Sequence, residues 1–224
     1  MLAAFAKAFE QLGDPALRRV LWISVGIAAL LFLLLWFTIG WLLANTTFFQ
    51  TGWLDTAVDV LGGFATAALS WLLFPAVVST TTGFFLDGAA DVVERRHYPQ
   101  LPKARVQPLE EVAVQAAKFF AVLILLNGVA LLFLLVPPLF PFVFLAVNGY
   151  LLGREYFELV AARRLDPADT KALRKRHGLR LFATGVLIAL LLTIPFVNLL
   201  APLIGTAAMV HVFHALKPAT EPRA

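Results

Sequence analysis

The sequence predicts an all-α integral membrane protein with two long transmembrane helices and two proline-tipped helical hairpins that penetrate the membrane part-way. Its 224 residues are 60% hydrophobic and only 14% charged, with a mean hydropathy of +0.83. About a quarter of the residues in a soluble domain are charged. Two apolar runs are long enough to cross a bilayer, and the two later apolar stretches each contain clustered prolines.

The basic residues define the expected topology. The 18 lysines and arginines precede the first apolar run, lie in the gap before the third, fill the next gap, or close the chain. None lies in residues 45–56 or at either proline-rich turn. Cytoplasmic loops carry an excess of Lys and Arg, so both termini are predicted to be cytoplasmic. The basic pI near 9.7 is therefore a topology signal, and nucleic acid is not an expected partner.

The first half of the chain contains the two long helices. Residues 1–13 have the helical amphipathic spacing of a short interfacial helix. Asp14 and Pro15 then suit the N-cap and first position of a helix. The transmembrane helices are predicted over 18–44 and 57–97, within a single membrane domain formed by residues 1–224.

The first hairpin is predicted over residues 112–165. Its centre, Val129–Val147, has no polar side chain, yet Pro137, Pro138 and Pro141 must turn the chain because basic residues flank it on both sides. A turn that reaches water needs polar residues, so this tip is expected to stay within the membrane.

The second hairpin is predicted over residues 179–216. Its first arm, Leu181–Ile194, has 14 residues, about 21 Å of helix, which is too short to cross. The chain is expected to turn at Pro195–Pro202. Alternatively, the prolines of both hairpins only kink spanning helices, which gives six crossings.

Three segments carry a resemblance to a known family. They are "IPFVNLLAPLIGTAAMVHVF", "FLDGAADVVE" and "DPALRRV", in this order from the C-terminal end. Together they resemble the CysZ sulfate permease family of bacterial inner membranes. The resemblance implies an all-helical fold with two long helices and two hemi-penetrating hairpins. It further implies sulfate uptake for cysteine synthesis, with sulfate bound near Leu17 and Arg18, and Arg19 extends that match.

The arginine pair Arg18 and Arg19 has two interpretations. Both residues lie in the first turns of a predicted helix, where backbone N–H groups and guanidinium groups can together bind an oxyanion. The same pair can instead anchor the helix to anionic lipid headgroups. A similar choice applies to Lys171, Arg174, Lys175 and Arg176, which either hold anions or act as a topology determinant.

Other polar side chains lie within or at the ends of the hairpins. Asn127, Asn148 and Asn198 either hold helices together or line a path. Glu155 and Glu158 either form ion pairs with Arg154 or couple protons to transport. His211 and His214 share a helix face, but two histidines lack the further ligands of a metal site, so packing is the expected role.

Two functions remain open on these grounds. One is a permease or channel for a small oxyanion, sulfate in the first place; the other is a non-transporting membrane scaffold or assembly factor. The sequence contains no P-loop, nucleophile elbow, Rossmann fingerprint or zinc-protease motif, and an enzyme is not expected. Neither cofactor nor metal is predicted, and the absence of cysteine excludes disulfides and thiolate metal sites. The expected partners are the oxyanion, membrane lipids and further copies of the chain, because broken backbone in the membrane needs protein neighbours.

Overall fold

The computed structural model describes residues 2–45, 52, 56–57, 60–68, 85–195 and 197–216. The helices with defined bounds in these residues are α1 (Leu2–Gln11), α2 (Pro15–Asn45), α3 (Leu86–His97), α4 (Leu109–Leu132), α5 (Phe140–Ala161), α6 (Pro167–Arg176), α7 (Gly178–Thr193) and α8 (Val197–Leu216). Residues 60–68 are also helical, and the described part of the chain contains no strand. The predicted all-α fold is confirmed. The middle of the predicted helix 57–97 lies outside the described residues, as does most of the polar segment 45–56.

The chain divides into two compact units. One unit comprises Met1–Arg18 together with Leu86–Ala224, and the other comprises Arg19–Phe85.

Helices of membrane-spanning length are present, as expected for a membrane protein. Among the described residues, Pro15–Trp41, Leu109–Leu135 and Val197–Leu216 are long and apolar enough to cross a bilayer. Helices α6 and α7 meet at an angle of 87°. Only when the two are taken together are they long and apolar enough to cross a bilayer. In an apolar window of 18 residues, 78% of the residues of α8 are buried, against 6% in the corresponding window of Leu109–Leu135, which contains α4. Helix α8 is therefore central to its unit, and α4 is peripheral.

The N-terminal segment forms helix α1 and packs against protein. Phe5, Ala8 and Gln11 recur every three residues, are buried, and lie on the face that contacts α8. Asp14 follows and caps α2, since its Oδ1 accepts a hydrogen bond of 2.8 Å from the backbone N–H of Ala16. The predicted N-cap at Asp14 is thus present.

The first hairpin turns over a short segment. A 3-10 turn at Phe133–Leu135 ends α4, and residues 136–139 reverse the chain. Pro141 lies in the first turn of α5, where the missing N–H of proline has no helical partner to lose. With 24 residues, α4 is about 36 Å long. The depth of the tip remains a prediction.

The second hairpin turns over fewer residues than the predicted turn Pro195–Pro202. Helix α7 has 16 residues, about 24 Å. Ile194 is extended (φ −88°, ψ 118°), as is favoured before proline, and the chain re-enters a helix at Val197. Pro202 therefore lies inside α8 and does not form part of the turn. It removes one N–H from the helical ladder, while its carbonyl also accepts a hydrogen bond of 2.9 Å from Thr206 Oγ1.

Three glycines allow α5 and α7 to approach closely. A Cβ added to Gly185 would overlap the carbonyl oxygen of Gly149 and the backbone nitrogen of Gly153. A Cβ on Gly153 would overlap the carbonyl oxygen of Leu181. Small residues at such crossings let two backbones pack directly, which drives helix association in membranes. This contact fixes α7 against the second arm of the first hairpin.

Candidate anion-binding site

The start of α2 carries the predicted anion-binding residues. Asp14 already occupies part of this helix end, because its carboxylate accepts the Ala16 N–H and lies 2.5 Å from Nη1 of Arg96. The pKa of Asp14 is lowered by the hydrogen bond from the Ala16 N–H and by the charge of Arg96. Partial desolvation opposes this shift but is outweighed. An external oxyanion would therefore meet a helix end that is partly satisfied by a fixed negative charge.

The three predicted side chains differ in their surroundings. Leu17 is buried at 2% exposure, so it serves packing. Arg18 and Arg19 are exposed, and neither forms an ion pair in the part of the chain that the structure describes. Within the described residues their guanidinium groups make no hydrogen bond, and these donors suit the bidentate binding of a tetrahedral oxyanion.

Two of the hairpin asparagines line one cavity. Asn127 of α4 and Asn148 of α5 face a space of about 300 Å³ within the first hairpin, whose other walls are apolar. Each amide nitrogen donates to the carbonyl four residues earlier in its own helix, at 2.9 Å to Leu123 and 2.8 Å to Phe144. Neither of these bonds joins two helices. Asn198 lies apart from them, in the first turn of α8.

The two glutamates at the end of the first hairpin have separate environments. Glu158 Oε1 lies 2.9 Å from Nε of Arg154 and 3.4 Å from Nε of Arg174, so it joins α5 to α6. Glu155 is exposed. The ion pair between Arg154 and Glu158 that the sequence suggested is present. Proton coupling by Glu155 or Glu158 stays a prediction.

A cluster of five charged side chains was not predicted from the sequence. Arg163 and Arg164 follow α5 and face one side of α3, from which three carboxylates project: Asp87, Asp91 and Glu94. Nη2 of Arg163 lies 3.0 Å from Asp91 Oδ1 and 3.1 Å from Glu94 Oε2. Nη2 of Arg164 lies 2.6 Å from the same Glu94 oxygen. The carboxylate spacing i, i+4, i+7 was the available signal, because it places all three on one helical face.

This cluster is saturated and leaves little capacity for an added anion. Burial alone would raise the pKa of Glu94, but His214, Arg164 and Arg163 outweigh it and lower the pKa to about 2. Glu94 is therefore ionised at neutral pH, and both arginines already donate to carboxylates. The cluster holds α3, α8 and the segment after α5 together.

A hydrogen-bonded network beside the cluster accounts for the histidines. The amide nitrogen of Gln11 lies 2.8 Å from Nε2 of His97 and 2.8 Å from Nε2 of His211. Tyr98 contacts Nδ1 of His211 at 3.0 Å and stacks against His214 at a centroid distance of 4.1 Å. Among the described residues, no group of three or more His, Cys, Asp or Glu could hold a metal ion. His211 and His214 thus join α1, α3 and α8, in line with the expected packing role.

Comparison with known proteins assigns the family. No curated protein matches the chain at a significant level. The family model described as "Sulfate transporter CysZ/Etoposide-induced protein 2.4" matches residues 4–202, which include most of α1, all of α2 and the first hairpin. Since the match covers most of an all-α chain with helices of spanning length, the protein belongs to the sulfate transporter CysZ/Etoposide-induced protein 2.4 family.

Proposed function

We propose that the protein is a permease or channel for a small oxyanion, with sulfate as the first candidate and cysteine synthesis as the pathway it supplies. The family description names a sulfate transporter, which supports transport over catalysis. In this proposal the protein lies in a bacterial inner membrane with both termini in the cytoplasm, as the distribution of basic residues predicts.

The observation that carries the proposal is the state of Arg18 and Arg19. Both are exposed and lack carboxylate partners among the described residues, at the start of a helix of spanning length. Arg163 and Arg164, by contrast, are occupied by Asp91 and Glu94. An anion that approaches the protein finds free guanidinium donors at the first pair and neutralised ones at the second.

A route through the membrane also needs polar groups at depth. The cavity that Asn127 and Asn148 line supplies two amides in an apolar hairpin. Because α4 is peripheral in its unit, a second copy of the chain would close this cavity on its open side. We therefore expect a homo-oligomer with the route beside the first hairpin.

The test is uptake of radiolabelled sulfate by proteoliposomes. Arg18→Lys combined with Arg19→Lys keeps both charges, and hence topology and anchoring, but removes the planar bidentate donors. A hydrogen bond to a charged group contributes about 1.5–3 kcal/mol, so uptake should fall about tenfold or more. Arg95→Lys is the matched control, because the only partner of Arg95 among the described residues, Asp91, lies on its own helix.

The possible outcomes separate the site from the function. Unchanged uptake in the double variant would remove Arg18 and Arg19 from the site while leaving transport intact. No sulfate uptake by the wild-type protein, in liposomes where it is correctly inserted, would refute the permease and favour the membrane scaffold.

A further inference from the structure

A basic cavity lies at the bend between α6 and α7. It has a volume of about 260 Å³, and its polar wall is formed by Arg154, Arg174 and Lys175. Tyr150 and Phe182 contribute an apolar wall. Liquid water occupies about 30 Å³ per molecule, so the cavity has room for a five-atom oxyanion with several waters. We propose that this cavity binds a tetrahedral oxyanion of the phosphate or sulfate class, either as a free ion or as the phosphate of an anionic lipid headgroup.

The charge of the cavity is not neutralised by the protein. Glu158 is the carboxylate that contacts its arginines, at 2.9 Å from Arg154 Nε and 3.4 Å from Arg174 Nε. Lys175 forms no ion pair in the described part of the chain. Three cations therefore share one carboxylate, which leaves a net positive site that differs from the saturated cluster around Glu94.

Arg154 is the side chain that a ligand would meet inside the cavity. Only 9% of the side chain is exposed, and it lies over the Phe119 ring, with 5.7 Å between Cζ and the ring centroid. Its Nε donates to Glu158, while its two terminal nitrogens donate to no protein acceptor within the described residues. These two nitrogens are open to the cavity, so an acceptor from outside the protein can bind them, and a charged acceptor binds a guanidinium more strongly than water does.

The backbone at the bend offers further donors. Helix α7 begins at Gly178, and the preceding residue, His177, provides no side-chain cap. A Cβ at Gly178 would meet nothing within 4 Å, so packing does not demand glycine at this position. Glycine does allow a ligand to approach the backbone closely. The uncapped N–H groups and the helix dipole favour a negative charge there.

A matched pair of variants separates this site from a general basic surface. Lys171 and Arg176 are exposed residues of the same helix α6 and do not line the cavity. Arg174→Gln with Lys175→Gln and Lys171→Gln with Arg176→Gln remove the same charge from one helix. The cavity predicts that only the first pair weakens binding about tenfold or more, whereas a diffuse charge effect weakens both pairs equally.

Binding is measured on the full-length protein in neutral, lipid-free detergent, with Arg18→Lys and Arg19→Lys present throughout so that the proposed α2 site does not contribute. Calorimetric titration with inorganic sulfate or phosphate tests a free ion. Native mass spectrometry after incubation with phosphatidylglycerol or phosphatidylcholine tests a lipid headgroup. Binding in either arm that depends on Arg174 and Lys175 supports the proposal and identifies the source of the oxyanion.

Three results would overturn the proposal: no binding in either arm, equal loss in both pairs of variants, or unchanged binding in Lys175→Gln alone. The last variant guards against misfolding, because Lys175 has no ion pair to lose in the described residues. None of these measurements involves transport, so their outcome is independent of the uptake experiment.

Discussion

Glu94 and Arg163 meet inside the protein, with 3.1 Å between Glu94 Oε2 and Arg163 Nη2 and side-chain exposures of 2% and 3%. The two residues are 69 positions apart in the sequence. Arg164 donates to the same carboxylate, so one glutamate balances two guanidiniums. Removal of one partner from a buried pair leaves an uncompensated charge, which costs far more than the pair itself contributes.

The first prediction concerns Glu94→Gln. This change leaves the buried Arg164 without a carboxylate among the described residues, while Arg163 keeps Asp87 and Asp91. We expect it to lower the free energy of unfolding by about 3–5 kcal/mol. Asp87→Asn is the control, since Asp87 also contacts Arg163 but its side chain is 71% exposed; a loss of about 1 kcal/mol or less is expected there. Tryptophan-fluorescence unfolding in detergent measures both. Equal losses would mean that burial does not decide the strength of this cluster.

The second prediction concerns the attachment of α1 below neutral pH. Partial desolvation of the ring, followed by the charges of Arg96 and Lys7, lowers the pKa of His97, although Asp14 and Glu10 oppose the shift. The folded protein therefore favours neutral His97. Its contribution to stability is present above the ordinary pKa of 6.5 and is lost as pH falls from 6.5 toward the lower, folded-state value. Protonation also removes the acceptor that faces Gln11.

A spin label reports this change directly. The chain has no cysteine, so Ala6→Cys places a unique label on the exposed face of α1. Its mobility is expected to rise as pH falls below 6.5. His211 contacts the same Gln11 nitrogen, so His97→Gln together with His211→Gln should abolish the dependence. An undiminished pH dependence in that double variant would assign it to another group.

Features that depend on neighbouring residues were easier to predict from the sequence than features that depend on long-range contacts. The Asp14 cap follows from chemistry within two residues of the site, and it is present in the structure. The position of Pro202 inside α8 was not predicted, because burial around the helix offsets a local break that proline alone favours.

The ion-pair partners within the charged sites could not be predicted from the sequence pattern. Asp91 and Glu94 share a helical face, which spacing shows, but their pairing with Arg163 depends on how α3 packs beside α5 and α8. The same limit applies to Arg154 and Lys175, which the bend between α6 and α7 brings to one cavity.

The third prediction concerns the glycine contact of α5 and α7. Gly185→Ala inserts a methyl group where the backbone of Gly149 and Gly153 lies, and backbone atoms cannot rotate away. We expect a loss of about 1–3 kcal/mol or more in stability. Gly128→Ala in α4 is the control, because a Cβ there meets nothing within 4 Å, and alanine favours the helix by up to about 1 kcal/mol. If Gly185→Ala unfolds no earlier than Gly128→Ala, the helices are not in direct backbone contact.

The fourth prediction concerns the depth of the first hairpin. Val136 and Leu139 at its turn are 45% and 48% exposed, which in an apolar tip indicates contact with lipid or with another copy of the chain. A single cysteine at Leu139 should resist membrane-impermeant reagents from both sides, whereas Lys175→Cys should react from the cytoplasm. Strong periplasmic labelling at Leu139 would show that the hairpin crosses fully.

The last prediction concerns oligomerisation through α4. Asn127 is an exposed residue of this peripheral helix, and its one hydrogen bond among the described residues is donated to Leu123 of the same helix. A polar amide that faces hydrocarbon is expected to seek a partner on another helix, and such bonds contribute about 0.6–2 kcal/mol. Asn127→Leu should therefore weaken association about 3- to 30-fold, as measured by the dissociation of labelled protein in mild detergent. Gln115→Leu makes a similar polar-to-apolar change on another face of α4 and should leave association unchanged. A wild-type protein that stays monomeric at high concentration in lipid nanodiscs would contradict the oligomer, and with it a route closed by a second copy.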